Sequence, residues 1–198
     1  MKKFILRARK AWTSSVDINK LPQQGKLDSV CAAVTGALWF SGGVRNDTII
    51  HVVLEGPNNG PKTITFNGAE IRGLRHDERS MADYISLALQ KGAWLQLNEE
   101  AHVRTGITVS KKSFERLVWE ICKDATNVFV LDGSGKDVRN VKFSKDCVII
   151  FGSAEGLPPK TEALLSNIKA EKISLGPKTL FAAQCPVIVH NEMDRQKI

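Results

Sequence analysis

At 198 residues, 42% apolar and 25% charged, the chain has the length for one good core and a composition that excludes a disordered protein. The longest nearly apolar stretch, residues 30–40, is interrupted by Thr35 and Gly36, and the basic N-terminus holds only Phe4-Ile5-Leu6 as an apolar run. Neither builds a membrane span of roughly 20 residues or a signal peptide, so a cytoplasmic protein is expected, and its net charge of +7 fits either scattered surface lysines or a polyanionic partner.

Residues 3–9 alternate, with Phe4, Leu6 and Ala8 on one side and Arg7 and Arg9 on the other, which predicts a first strand with a basic opposite face. Residues 13–27 read as a long loop containing Leu21-Pro22 and Gly25. Leu27, Val30, Cys31, Val34 and Leu38 recur at helical spacing, predicting an amphipathic helix that ends near Ser41-Gly42-Gly43. Residues 48–54 are a β-branched run closed by Gly56-Pro57-Asn58-Asn59-Gly60. A third strand, Thr63-Ile64-Thr65-Phe66, is expected to turn at Asn67-Gly68 into a short partner around Glu70-Ile71. After a polar segment, residues 72–80, a helix is marked by Met81, Tyr84, Ile85, Ala88 and Leu89. Residues 94–109 carry the weakest signal and read as a loop followed by extended chain at 106–109. Phe114, Leu117, Val118, Ile121 and Cys122 form another helical stripe.

The last third contains three short apolar runs, each closed by glycine. Val128-Phe129-Val130-Leu131 leads into Asp132-Gly133-Ser134-Gly135, Cys147-Val148-Ile149-Ile150-Phe151 into Gly152-Ser153-Ala154-Glu155-Gly156, and Lys172-Ile173-Ser174-Leu175 into Gly176-Pro177. Runs of this kind suit buried parallel strands, and ligands of open α/β sheets sit just beyond such strand ends. A hairpin-like insert is expected at residues 136–143, a helix around Leu164, Leu165 and Ile168 opened by Pro158-Pro159, and a last helix over residues 178–195 that Pro186 kinks or delays. Strands alternating with helices predict an α/β fold with a mainly parallel sheet flanked by helices.

None of the three glycine turns has the spacing of a dinucleotide or triphosphate loop, which makes either ligand a poor expectation. Cys31, Cys122, Cys147 and Cys185 lie far apart, and His51, His76, His102 and His190 show no ligand-like pairing, so no metal site is expected.

As an ordered set, the turns after Leu131, Gly152-x-x-Glu155-Gly156-Leu157-Pro158, Ile173-Ser174-Leu175-Gly176 and Leu180-x-x-x-x-Cys185 resemble the cofactor region of the SPOUT class of RNA methyltransferases. The whole chain resembles one member family, the archaeal tRNA pseudouridine-54 N1-methyltransferases and their bacterial relatives. Leu21-Pro22 through Gly25-Lys26-Leu27-Asp28, Asp77-Glu78-Arg79-Ser80 and Asn191-Glu192-Met193-Asp194 extend the match. The resemblance implies a single domain over residues 1–198, with a C-terminal trefoil knot at about 127–198 that binds S-adenosyl-L-methionine. It places Leu131, Gly152, Gly156, Ser174, Leu175, Leu180 and Cys185 around that cofactor, and it implies a homodimer acting on tRNA, with the RNA site completed across the interface. The implied reaction is methylation of N1 of pseudouridine at position 54 in the T-loop. Another tRNA or rRNA nucleoside, or a non-catalytic RNA-binding relative, stands as the alternative.

Methylating an imide-like N–H requires loss of its proton, for which Asp28, Asp77 and Glu78 are the candidate general bases. Asp77 could equally cap the helix it precedes, and Asp28 could be a first-turn acid. Arg7, Arg9, Lys10, Arg72, Arg75 and Arg79 are candidate RNA contacts, although Arg79 could instead pair with Asp83. Because the implied acceptor is nitrogen, Cys185 reads as a soft pocket wall rather than a nucleophile. Glu155 reads as ordering its own loop, and Trp12 as a residue that could stack on a base.

Overall fold

The computed structural model describes residues 1–125 and 127–198. The first strand, β1 (Lys2–Ala8), leads through a 3-10 turn (Ile18–Gln23) to helix α1 (Leu27–Leu38). A small hairpin, β2 (Trp39–Phe40) and β3 (Gly43–Val44), precedes β4 (Thr48–Leu54), β5 (Lys62–Asn67) and helix α2 (Glu78–Lys91). Then come β6 (Glu100–Arg104), β7 (Ile107–Ser110), α3 (Phe114–Cys122) and β8 (Val128–Asp137). The chain closes with β9 (Cys147–Gly152), α4 (Glu162–Asn167), β10 (Glu171–Ser174) and α5 (Gln184–Arg195).

Eight strands form one sheet in the order β10-β8-β9-β1-β4-β5-β7-β6. The five from β10 to β4 run parallel, and β5, β7 and β6 continue as an antiparallel extension. Central β1 is buried on both sides. Phe4, Leu6 and Ala8 join α1, α2 and α5 in one core, while Ile5 joins α3 and α4 in a second on the other face. Arg7, expected on a basic solvent face, is therefore interior at 3% exposure, because a strand flanked by parallel neighbours and covered by helices has no solvent face. No helix among the described residues is long and apolar enough to cross a membrane.

Several local expectations are corrected. Asn67-Gly68 does not start a hairpin: the Asn67 side chain accepts from the Ala69 amide at 3.1 Å, and β5 pairs with β7 instead. Gly68 is needed there because a Cβ would run into the Arg45 carbonyl. Residues 94–109 hold a hairpin, β6 and β7. No insert interrupts residues 136–143; β8 continues to Asp137 and ends in a 3-10 turn, Val138–Asn140. The last helix starts at Gln184, which puts Pro186 in its first turn, where a missing N–H breaks no helical bond.

Candidate active site

Beyond the carboxyl ends of β8, β9 and β10 lies a cleft of about 430 Å³, within the range of small-molecule sites. Its first wall is an excursion from β8. The β10 ladder pairs Lys172 with Val130 and Ile173 with Lys136, so residues 131–135 leave the sheet. Asp132 folds the excursion by accepting from the Ser134 amide at 2.9 Å and hydroxyl at 2.7 Å. Gly135 lets the chain return, since a Cβ there would strike the Lys172 main chain.

The second wall is the turn after β9. The Ser153 amide donates to the Arg7 carbonyl at 3.0 Å, and the Gly156 amide to the Ser153 carbonyl at 2.9 Å. The Ser153 hydroxyl donates to Glu155 at 2.8 Å, and Lys10 approaches the same carboxylate at 3.4 Å. The third wall follows β10, where Ser174 and Gly176 exchange hydrogen bonds at 3.2 and 3.3 Å. Leu180 and Cys185 complete it.

All seven residues assigned to the cofactor in the sequence line this one cleft: Leu131, Gly152, Gly156, Ser174, Leu175, Leu180 and Cys185. Asp132, Phe151 and Ile173 also line it, beyond the seven that the resemblance places there; the Asp-Gly-Ser turn signal is the available hint for Asp132. The Ser134 amide, its hydroxyl and then Lys172 hold the Asp132 carboxyl below its ordinary range. Burial opposes ionisation of Glu155, but the Ser153 hydroxyl, the loop amide and Lys10 outweigh it and hold that carboxyl low as well. Burial pushes the Cys185 thiol up to about 11, so it stays protonated and non-nucleophilic at neutral pH. Each of the two carboxylates has a lysine partner, Asp132 with Lys172 at 3.3 Å and Glu155 with Lys10 at 3.4 Å, and Lys178 also lines the cleft, so apolar walls and glycine main chain dominate the space left for a ligand.

None of the acid candidates is among the residues lining this cleft. Asp77 is the N-cap of α2, accepting from the Ser80 amide at 3.0 Å and hydroxyl at 2.8 Å, with Arg75 on the same carboxylate at 3.1 Å. Those Ser80 bonds hold its carboxyl below the ordinary range. Glu78 opens the helix beside it, and α2 begins against the C-terminal half of α1, where Thr35 Oγ1 donates to the His76 carbonyl at 3.1 Å. Asp28 is in the first turn of α1, with Oδ1 buried and without a hydrogen-bond partner. Burial, reinforced by Glu78 and then Asp28, pushes the Cys31 thiol up to about 12, so both acids lie in electrostatic reach of one thiol between α1 and α2.

Of the basic candidates, Arg7 is withdrawn from the surface. Its guanidinium is held by Glu55 at 2.8 and 2.9 Å, Glu115 at 2.9 Å and Thr161 at 3.1 Å, which leaves it no exposed donor for a phosphate. Arg9 and Lys10 are exposed beside the cleft end of β1. Arg72, Arg75 and Arg79 are exposed together before and at the start of α2, and the Arg79–Asp83 pair does not form. Trp12 is half-buried. No group of three or more His, Cys, Asp or Glu residues able to hold a metal ion occurs among the described residues.

The model of the family described as "Putative SAM-dependent RNA methyltransferase" matches residues 1–198. The tRNA (pseudouridine(54)-N(1))-methyltransferase of Methanocaldococcus jannaschii is 36% identical over 205 residues, covering 100% of this chain and 98% of its own. The enzyme of the same name from Methanopyrus kandleri is 35% identical, covering 98% of this chain and 93% of its own. Among solved structures, Archaeoglobus fulgidus Nep1 bound to S-adenosylhomocysteine superposes with a TM-score of 0.64 at 14% identity, covering 99% of this chain and 98% of that one, a likeness of fold.

Proposed function

The chain belongs to this family of SAM-dependent RNA methyltransferases, and on that premise we propose that it methylates N1 of pseudouridine at position 54 in the T-loop of tRNA. The observation that carries the reading is the convergence of three strand-end turns on one cleft walled by apolar side chains and glycine main chain. S-adenosyl-L-methionine supplies an electrophilic methyl group on a sulfonium sulfur. In this reading Leu131, Leu175, Leu180 and Cys185 wall the cofactor, and the main chain at Gly152, Gly156 and Ser174 meets its polar edges. Positioning of the acceptor against the methyl group then supplies much of the acceleration.

We propose further that the enzyme is a single domain and a homodimer. An exposed apolar strip runs from Phe181, beside the cleft residue Leu180, through Val187 on α5 to Phe40 after α1, with exposures of 74, 52 and 52%. The segment before α2 borders its far end, where His76 packs on Trp39. A two-fold axis through such a strip would bring the Arg72, Arg75 and Arg79 cluster of one copy toward the cleft of the other. That arrangement gives those arginines a route to the RNA that one copy alone does not provide. The same reading has the segment after β10 thread a loop to form a trefoil knot, supported by the return of α5 to the α1 face, and has the enzyme work in the cytoplasm, where tRNA is modified.

The test is incubation with labelled S-adenosylmethionine and two matched tRNA transcripts, one with pseudouridine and one with uridine at position 54. Label transferred only to the first supports the full proposal. Transfer to both retains the enzyme and moves its target, and transfer to neither overturns the target class.

A further inference from the structure

The most exposed large apolar side chain in the protein is far from the cleft across the sheet but at the same end of it. Trp94 is 89% exposed and Leu97 is 71% exposed, both in the 92–99 loop between α2 and β6. This loop is held rigidly. The Asn98 amide donates to the Lys111 carbonyl at 3.0 Å, the Lys111 amide to the Glu99 carbonyl at 2.9 Å, and Asn59 Nδ2 to the Ala93 carbonyl at 3.0 Å. Leu95 turns inward against the core. Trp94 is therefore displayed on a fixed base.

The register puts this loop on the cleft side. Glu100 pairs with Ser110, Ser110 with Thr63, Lys62 with Leu54, Leu54 with Ala8, and Arg7 with Gly152. Five inter-strand steps from β9 to β6 amount to about 24 Å. The rim between them is continuous. Lys10 meets Glu155, the Gly56 amide donates to the Ala11 carbonyl at 2.8 Å, Thr13 Oγ1 donates to the Pro57 carbonyl at 2.8 Å, and Asn59 reaches Ala93.

The cations near Trp94 have no ion-pair partner among the described residues, although Glu99 and Glu100 stand exposed at the end of the same loop. Lys62 is fully buried, and its ammonium donates to the Asn59 carbonyl at 3.3 Å. Burial, and then Lys111, pull its pKa down. Lys91 caps the His102 and Val103 carbonyls at 3.3 and 3.2 Å. Among the described residues none of Lys62, Lys91 and Lys111 forms an ion pair, and the loop's own Glu99 is turned back onto the Gln96 amide at 2.7 Å.

We infer that the 92–99 loop is a second contact for the RNA substrate, with Trp94 as a platform for an unpaired base and Lys91 and Lys111 facing the flanking phosphates. An exposed aromatic set among unpaired cations is the arrangement that binds single-stranded nucleic acid. The inference rests on the reading of the chain as an RNA methyltransferase, and it gives the rim a reason to be rigid: the distance from platform to cleft would select which nucleotide reaches the methyl group.

The test is binding of an in vitro transcribed tRNA at fixed salt, without cofactor, so that it does not depend on methyl transfer. Trp94→Ala is expected to weaken binding about 5- to 150-fold, and Trp94→Phe much less. Lys111→Ala is expected to reduce the slope of log affinity against log salt by about 0.7 to 0.9. S-adenosylhomocysteine binding and the melting temperature serve as controls and stay at wild-type values. Unchanged RNA affinity in Trp94→Ala overturns the inference. So does a change of sedimentation in the Trp94→Ala, Leu97→Ala double variant with RNA affinity retained, which would assign the surface to a second copy. Failure of methyl transfer on both matched transcripts, with Trp94→Ala still weakening RNA binding, would remove the proposed target and leave the platform standing.

Discussion

Arg7 and Glu55 close a bidentate ion pair inside the molecule, Nε to Oε2 at 2.8 Å and Nη2 to Oε1 at 2.9 Å. The Phe114 ring lies 4.4 Å from the guanidinium carbon, so the charge is packed as well as paired. Removing it would strand a mostly buried carboxylate. Arg7→Met is expected to lower the free energy of unfolding by about 3 kcal/mol in urea denaturation. At a temperature where the variant is folded, the salt dependence of its RNA binding stays that of the unaltered protein. A slope lower by about one would show a phosphate contact after all.

The turn after β9 separates two kinds of glycine. A Cβ on Gly152 would stand 2.7 Å from the Gly156 Cα, whereas Gly156, at φ +62°, has open space around its own Cβ direction. Gly152→Ala must therefore open the turn, and a loss of at least about 10-fold in S-adenosylhomocysteine affinity is expected by calorimetry. Gly156→Ala meets only the left-handed backbone cost of about 1 kcal/mol and is expected to bind within a few-fold of the original protein.

His190 makes stability depend on acid. Its Nε2 lies 2.9 Å from the Ala37 carbonyl, Nδ1 is buried without a partner, and the ring packs on Phe4. Burial, and then Arg45, push its pKa down to about 4; Lys2 acts in the same direction, and Asp194 opposes them. The unfolded chain binds this proton near pH 6.5 and the folded chain only near pH 4. The contribution is thus complete above about pH 6.5 and falls as pH drops toward 4, by about 3 kcal/mol. Denaturation as a function of pH should show that slope, and His190→Asn should remove it.

Asp28 and Asp77 can be told apart by substitution. Asp28 has a buried oxygen that no protein donor satisfies, whereas both Asp77 oxygens are engaged and its carboxyl is held low, which weakens it as a base. Asp28→Asn is expected to reduce single-turnover methyl transfer by about 100-fold or more. Asp77→Ala is expected to lower the melting temperature, and Asp77→Asn, a good cap, to restore it. Loss of transfer in Asp77→Asn with the melting temperature retained would move the base to Asp77.

The sequence was most legible where one rule acted alone. Strands β4 and β9 and the first part of β8 are runs of β-branched and aromatic residues, and the glycine turns after the β8 run and β9 marked the cleft. Strand β6 was invisible because an edge strand buries little: in Glu-Ala-His-Val-Arg only Val103 is buried. Arg7 misled because an alternating pattern looks the same whether its polar side faces water or a buried acid. The absence of Asp77 from the cleft lining, and the unpaired cations around Trp94, depend on contacts between segments distant in sequence, which local pattern does not encode.

The position of β1 has a consequence for synthesis. Lys2 pairs with Thr48 on one side and with Cys147 on the other. A nascent chain can seal the first edge early, but the second stays open while the roughly 90 residues between β4 and β9 are made, about 5–20 s at ordinary translation rates. During that interval a buried apolar strand, with Phe4, Ile5 and Leu6 at its centre, is an unprotected sheet edge. The cleft, lined by residues from 131–133 and 151–185, is complete only once β9 and the chain after it have been made, so a ligand bound there cannot stabilise the protein while that edge is open.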